Sequence, residues 1–244
     1  MTVSEQLRVV SLVPSATETL LALGVEPVAC TRFCLQPGIA TVGGTKNPHV
    51  DDIVALAPDL VVVNDEENRR EDADALTRAG LALHDMSPRS VADVGPAIVA
   101  LARAVAAPAP ADYAPPAWEA WLANNTAGAD GMPRAAVLIW RRPWMAIGAD
   151  TYGSSVLEHA GFANVYADPG SDRYPEVSLD AVAARRPDVV LLPSEPYRFR
   201  ERHVDEVARA IPDARVLRAD GQDLFWWGIR TREAVDRVRG ALTG

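Results

Sequence analysis

Cysteine, histidine and basic charge are all scarce in this chain, and each shortage removes a class of chemistry. Only two cysteines occur in 244 residues, Cys30 and Cys34. A zinc site of four thiolates is therefore excluded, and Cys-x-x-x-Cys is not the Cys-x-x-Cys redox spacing. The pair reads as two small buried apolar residues, or as one loop disulfide if the protein is exported. No two of the four histidines stand four residues apart, and neither His-Glu-x-x-His nor His-x-His occurs. His84 and His159 read as structural; His49 and His203 flank candidate loops and are the weak metal candidates. Lys and Arg number 24 against 33 Asp and Glu, a formal net charge of −9. That disfavours nucleic acid and a polybasic membrane surface as partners. No apolar run approaches the ~18 residues of a membrane span. The opening MTVSEQLRVVSLVPSATE has no basic n-region, no long apolar h-region and no lipobox cysteine. The chain as given reads as cytoplasmic, or as extracytoplasmic if an export segment has been removed. Gly-x-Ser-x-Gly, a Walker A loop and Gly-x-Gly-x-x-Gly are all missing, so no catalytic residue is assigned.

What is present is an alternation of strands and helices. Residues 8–13 (RVVSLV) form an apolar, β-branched run, and ATETLLALG then reads as a helix stopping at Gly24. Strand signals recur at 25–31, 59–63 and 81–85, with helices over 50–57 and 71–79 between them. The second half repeats the scheme. Strands are expected at 135–140, 189–192 and 215–217, with helices over 154–160, 179–185, 202–210 and 231–242. Such alternation predicts α/β architecture with mainly parallel sheets covered on both faces. The halves also match residue by residue: VDDIVALAPDLVVVNDE aligns with LDAVAARRPDVVLLPSE, placing Asp51 on Asp180, Pro58 on Pro187 and Asp59 on Asp188, each 129 positions apart. The expected organisation is therefore two similar three-layer α/β lobes, residues 1–89 and 127–244, joined by a single helical, proline-interrupted connector over 90–126. TAGADGMPR reads as a flexible exit from that connector.

Open α/β sheets bind ligands at the carboxyl ends of their strands, so the loops there are the candidate sites. Ser15 or Thr17 can cap the first helix and leave its amino terminus facing a polar ligand. Asn64 opens the loop NDEENRRED, whose carboxylates read as a solvated helix start with arginine partners. Phe33, Trp144, Tyr152, Tyr174, Tyr197, Phe199, Phe225, Trp226 and Trp227 all fall in predicted strand-end loops. Aromatic residues concentrated in loops point to recognition of a flat or bulky ligand. Phe33, Tyr174, Trp226 and Trp227 are expected to line one cleft, with Arg230 as a polar anchor.

Taken in order, RVVSLVPSATE, VGGTKNPHVDDIVALAPDLVVVNDEEN, YPEVSLDAVAARRPDVVLLPSEPYRF and DLFWWGIRTREA resemble the substrate-binding proteins of ABC importers for cobalamin and iron chelates. The cobalamin binders are the most similar of these. The resemblance implies two lobes with the ligand in the cleft between them, and binding without chemistry. It implies no cofactor of the protein's own, with cobalamin or another metal chelate as ligand. It carries an aromatic site residue onto Phe33, another onto Tyr174, and the segment before the last helix onto Asp223, Leu224, Phe225, Trp226 and Trp227. The family's first-lobe tryptophan falls on Thr45, a departure that leaves siderophore or haem-type chelates open. Asp51 and Asp180 match the carboxylates that each lobe offers to an ABC permease. A monomer is expected. A cytoplasmic enzyme or cofactor chaperone on the same scaffold is the alternative.

Overall fold

Short strands, buried throughout at Val9–Ser11, Ala29–Cys30 and Val189–Pro193 and more exposed toward the sheet edges, build two separate sheets. The computed structural model describes residues 7–126 and 131–243; positions 127–130 of the expected flexible exit lie outside them. Two compact units result. The first holds the described residues up to Pro88 with Val94–Trp118 and Trp227–Ile229; the second holds Arg89–Asp93, the described residues between Glu119 and Trp226, and those from Arg230 onward.

The first unit contains β1 (Val9–Ser11), α1 (Pro14–Ala22), β2 (Ala29–Cys30), β3 (Ala40–Thr41), α2 (Val50–Ala55), β4 (Leu60–Val63), α3 (Arg70–Arg78) and β5 (Leu83–Asp85). Its sheet runs β3-β2-β1-β4-β5, every pairing parallel. Val10, Ala29 and Val61 are fully buried in the strands, and Ile53 and Leu76 close on them from α2 and α3. Helices α4 (Val91–Ala104) and α5 (Ala117–Asn125) follow. Gly95 admits the buried Trp118 indole, because a Cβ there would collide with that ring. Neither Ser15 nor Thr17 caps α1, correcting the sequence expectation. Pro14 takes the first helical position and Val13 the cap. Proline removes one of the unsatisfied N–H groups such a cap would serve. Thr17 Oγ1 instead lies 2.8 Å from Ser11 Oγ and 2.9 Å from the Val13 carbonyl.

The second unit contains β6 (Arg134–Trp140), β7 (Trp144–Ala146), α6 (Tyr152–His159), β8 (Ala163–Asn164), β9 (Glu176–Val177), α7 (Leu179–Ala184), β10 (Val189–Pro193), α8 (Glu201–Ala210), β11 (Arg215–Ala219), α9 (Gly221–Phe225) and α10 (Thr231–Thr243). The order is β11-β10-β6-β7-β9, with β8 also on β6. β10 pairs parallel with β6 and β11, whereas β7 is antiparallel to β6 and β9. The sheet is thus mixed. Ala136, Leu138, Val190, Leu192 and Phe199 form its core. Among the described residues no helix is long and apolar enough to cross a membrane.

The internal repeat is structural as well as sequential. Asp59 Oδ2 accepts from the Arg8 backbone N–H at 2.8 Å, and Asp188 Oδ2 accepts from that of Arg134 at 2.6 Å. Each aspartate N–H returns a bond to the same arginine's carbonyl at 2.8 Å. Arg8 Nη2 reaches the Leu56 carbonyl at 2.8 Å, and Arg134 Nη2 reaches the equivalent Arg185 carbonyl at 2.9 Å. Just before the shared proline the chain enters the left-handed region in both copies, at Ala57 (φ 44°) and Arg186 (φ 47°). This clasp ends α2 and α7 and aligns β4 and β10 for their sheets. It also stops the helix expected over 50–57 at Ala55.

Candidate functional site

In the first unit, all five strands point their carboxyl ends toward one edge, and the chain leaves β1 and β4 at the centre of the order. Such a switch point is where open α/β sheets accept ligands. Two asparagines hold this edge together. Asn68 Nδ2 donates to the Leu12 carbonyl at 3.2 Å and the Thr45 carbonyl at 3.0 Å, and its Oδ1 accepts the Asn64 N–H at 2.9 Å. Asn64 Oδ1 accepts the N–H groups of Glu66 and Glu67, both at 2.9 Å, and its Nδ2 donates to the Met86 carbonyl at 3.0 Å. Loops following β1, β3, β4 and β5 are thereby fixed to one another. Thr45, whose carbonyl joins this network, and Ser15 are both buried. Phe33 is 48% exposed, with the Arg32 guanidinium 4.9 Å over its ring. Gly44 lets the pair lie flat: a Cβ there would stand 3.1 Å from both Arg32 Nη2 and Phe33 Cε2.

Cys30 and Cys34 are free and buried in this unit. Thr17 Oγ1 donates to Cys34 Sγ at 3.2 Å. Burial, followed by the neighbouring Cys34, pushes the Cys30 thiol up to about 12, so it stays protonated. Trp227, from the last of the expected aromatic positions, is 5% exposed within the first unit.

The second unit gathers the loops after β6, β10 and β11. Trp226 is half-buried; its Nε1–H donates to Glu195 Oε1 at 2.6 Å, and the Arg230 guanidinium lies 5.0 Å over its ring. Asp223 is 7% exposed and accepts from Arg237 Nε at 2.9 Å and Nη2 at 2.7 Å, with Arg230 Nη1 a further 3.8 Å away. This pairing drives the Arg237 guanidinium still higher. Leu224 is fully buried, and Phe225 sits against Gly153. Tyr174 is 39% exposed under the Arg173 guanidinium, 5.6 Å from its ring.

Several aromatics expected in loops lie inside this unit's framework. Tyr152 begins α6, is buried, and bonds Thr231 Oγ1 through its hydroxyl at 2.9 Å. Trp144 begins β7 and stacks on the buried Phe199 at 6.0 Å. Tyr197 packs 4.8 Å from Phe199 and meets the exposed Trp140 edge-on at 5.5 Å. His203 is buried, and its Nδ1 accepts the Arg200 backbone N–H at 2.9 Å. Burial, then the nearby Arg202, Arg141 and Arg200, holds its imidazole below the ordinary range. His49 is exposed and contacts Asp52 at 3.1 Å. Among the described residues no three His, Cys, Asp or Glu side chains gather as a metal site. Asn68, Trp140 and Glu195 were not singled out from sequence; Glu195 stands in SEPYRF, a flagged loop, without an aromatic ring to draw notice.

Asp51 and Asp180 each stand second in a six-residue helix, α2 and α7. Both are exposed, and neither forms an ion pair among the described residues. Beside α7 an open groove of about 570 Å³ is lined by Tyr166, Asp168, Glu176, Ser178 and Arg185.

Two α/β units each carry aromatic rings under guanidinium groups in their loops, surfaces suited to stacking on a flat ligand. Residues 9–210 match the family described as periplasmic binding protein, and the chain belongs to that family. The vitamin B12-binding protein of Salmonella choleraesuis (strain SC-B67) is 27% identical over 191 residues, covering 76% of this chain and 71% of that protein. Two solved structures share the fold. The periplasmic vitamin B12 binding protein BtuF of Vibrio cholerae superposes with a TM-score of 0.75 at 22% identity, over 97% of this chain and 96% of that one. The apo periplasmic heme-binding protein RhuT from Roseiflexus sp. RS-1 gives 0.78 at 23% identity, over 97% of each chain. These relatives are binding proteins, not enzymes, and the resemblance read from the sequence is borne out.

Proposed function

We propose that the chain binds a large metal chelate, a corrinoid first of all, for ABC-type import, making and breaking no bond and acting as a monomer. One observation carries the reading. Phe33, Tyr174 and Trp226 each present ring surface under a guanidinium in a loop flanking a strand or helix. Aromatic faces of this kind stack on a flat macrocycle, and the guanidinium holds the ring in place while offering donors of its own. Arg230 lies over Trp226, and in this reading Phe225, Thr45 and Asn64 belong to the same binding surfaces. The named vitamin B12-binding relatives support the corrinoid over other chelates.

Haem is the second reading, favoured by the exposed Tyr174 phenol, since tyrosine is an axial ligand type for haem iron. Absorbance titrations with cyanocobalamin and with haemin separate the two. Saturable binding of cyanocobalamin, weakened about thirtyfold in Trp226→Ala, is the expected result. A Soret shift with haemin that Tyr174→Phe abolishes favours the second reading; no binding of either compound overturns both. Each unit also offers one free carboxylate, Asp51 or Asp180, at the same helical position. We read this pair as the contact with a permease built from two like subunits.

A further inference from the structure

The loops after β6 and β10 hold a concentration of positive charge at odds with the rest of the chain. Arg141, Arg142, Arg198, Arg200 and Arg202 fall within them or at the start of α8, in a protein of net charge −9. The chief nearby carboxylate is already engaged: Glu206 receives two bonds from Arg141, at 3.0 and 2.9 Å. Arg142, Arg198 and Arg200 are exposed and form no ion pair among the described residues. The buried Phe199 stands between the exposed Arg198 and Arg200, the latter in extended backbone. Their electrostatics overlap, since Arg141, Arg200 and Arg202 act together on His203, and Arg142 acts on Glu206. Beside them lies an open aromatic surface, Trp140 at 43% exposure with the Tyr197 ring 5.5 Å away. Glu201 is the exposed carboxylate within the same stretch and leaves the three guanidinium groups in excess.

We propose that this patch selects a chelate with ionised carboxylate side arms: Arg142, Arg198 and Arg200 bind the carboxylates, and Trp140 and Tyr197 meet the rim of the ring rather than its stacked face. The inference rests on the chelate-binding reading above and narrows it by charge. Guanidinium matches carboxylate with paired, charge-assisted hydrogen bonds, whereas an amide side arm supplies one neutral acceptor. A macrocycle whose arms are all amides still binds through its ring but gains less from these arginines than one with carboxylate arms.

Two corrinoids with the same ring provide the test: dicyanocobyrinic acid, whose arms are carboxylates, and dicyanocobinamide, whose arms are amides. Titrated by absorbance at low salt, the acid is expected to bind at least about tenfold tighter, with the advantage shrinking as salt is raised. Arg142→Gln with Arg198→Gln, both at exposed sites, is expected to erase that ratio while circular dichroism stays that of the parent. Equal affinities, an amide preference, or a ratio that survives the double variant would overturn the charge proposal and leave chelate binding standing. Failure of both rings and of haemin to bind would overturn the underlying reading and this proposal with it.

Discussion

Replacing Arg237 with Met should destabilise the second unit more than any other surface substitution considered, because it strands a buried carboxylate. The Asp223 side chain is only 10% exposed and is gripped at both oxygens. Breaking a buried pair from one side costs about 3–5 kcal/mol. Two features reduce that here. Arg237 itself is 48% exposed, so water replaces part of what it gives, and Arg230 remains 3.8 Å away as a partial partner. The expected loss is therefore about 2 kcal/mol, or about 4–8 °C in Tm for a chain of this size. Thermal unfolding followed by circular dichroism measures it. Pairing Arg237→Met with Asp223→Asn should recover most of the loss, since no charge is then buried alone. A single-variant loss below about 0.5 kcal/mol, or a double variant no better than the single, would show that Asp223 is solvated or otherwise satisfied.

Two further outcomes are expected. Asp51→Ala with Asp180→Ala should leave chelate affinity intact and abolish association with the cognate permease in a pull-down; undiminished association would assign both residues to helix-terminus electrostatics alone. Stability should fall as pH is lowered from about 7.5 to about 5.5, because the unfolded imidazole of His203 takes up its proton near its ordinary pKa of about 6.5 while the folded one resists until lower pH. His203→Gln should flatten that slope in urea unfolding, its side-chain oxygen still accepting the Arg200 N–H; an unchanged slope would mean that other groups set the pH dependence.

Most of the fold was legible because its signals are local. β-Branched runs, helix-stopping glycines and the Pro-Asp junctions all act within a few residues. β7, β8 and β9 escaped notice because strands of two or three residues carry no periodicity; their partners, not their own sequence, make them strands. Six of the nine aromatics expected in loops lie there, whereas Trp144, Tyr152 and Phe225 belong to β7, α6 and α9; exposure is not legible for any of them. Phe199 and Trp227 differ from Phe33 in nothing a single sequence records, yet the first two are buried and the last is open. Asn68 illustrates the same limit. An asparagine in a charged stretch reads as solvated, and only the convergence of four loops turns it into the bracket that holds them.

The paired Arg-Asp clasps give the molecule an experimental property. Arg8 with Asp59 and Arg134 with Asp188 make matching bonds around matching left-handed residues, Ala57 and Arg186, in units of different sheet composition. A substitution at one clasp therefore has a built-in twin at the other. Asp59→Asn and Asp188→Asn pose one question to two surroundings inside one chain, at one pH and in one tube. Any disparity between their effects measures context alone: what a neighbourhood adds to an interaction whose local geometry is held constant.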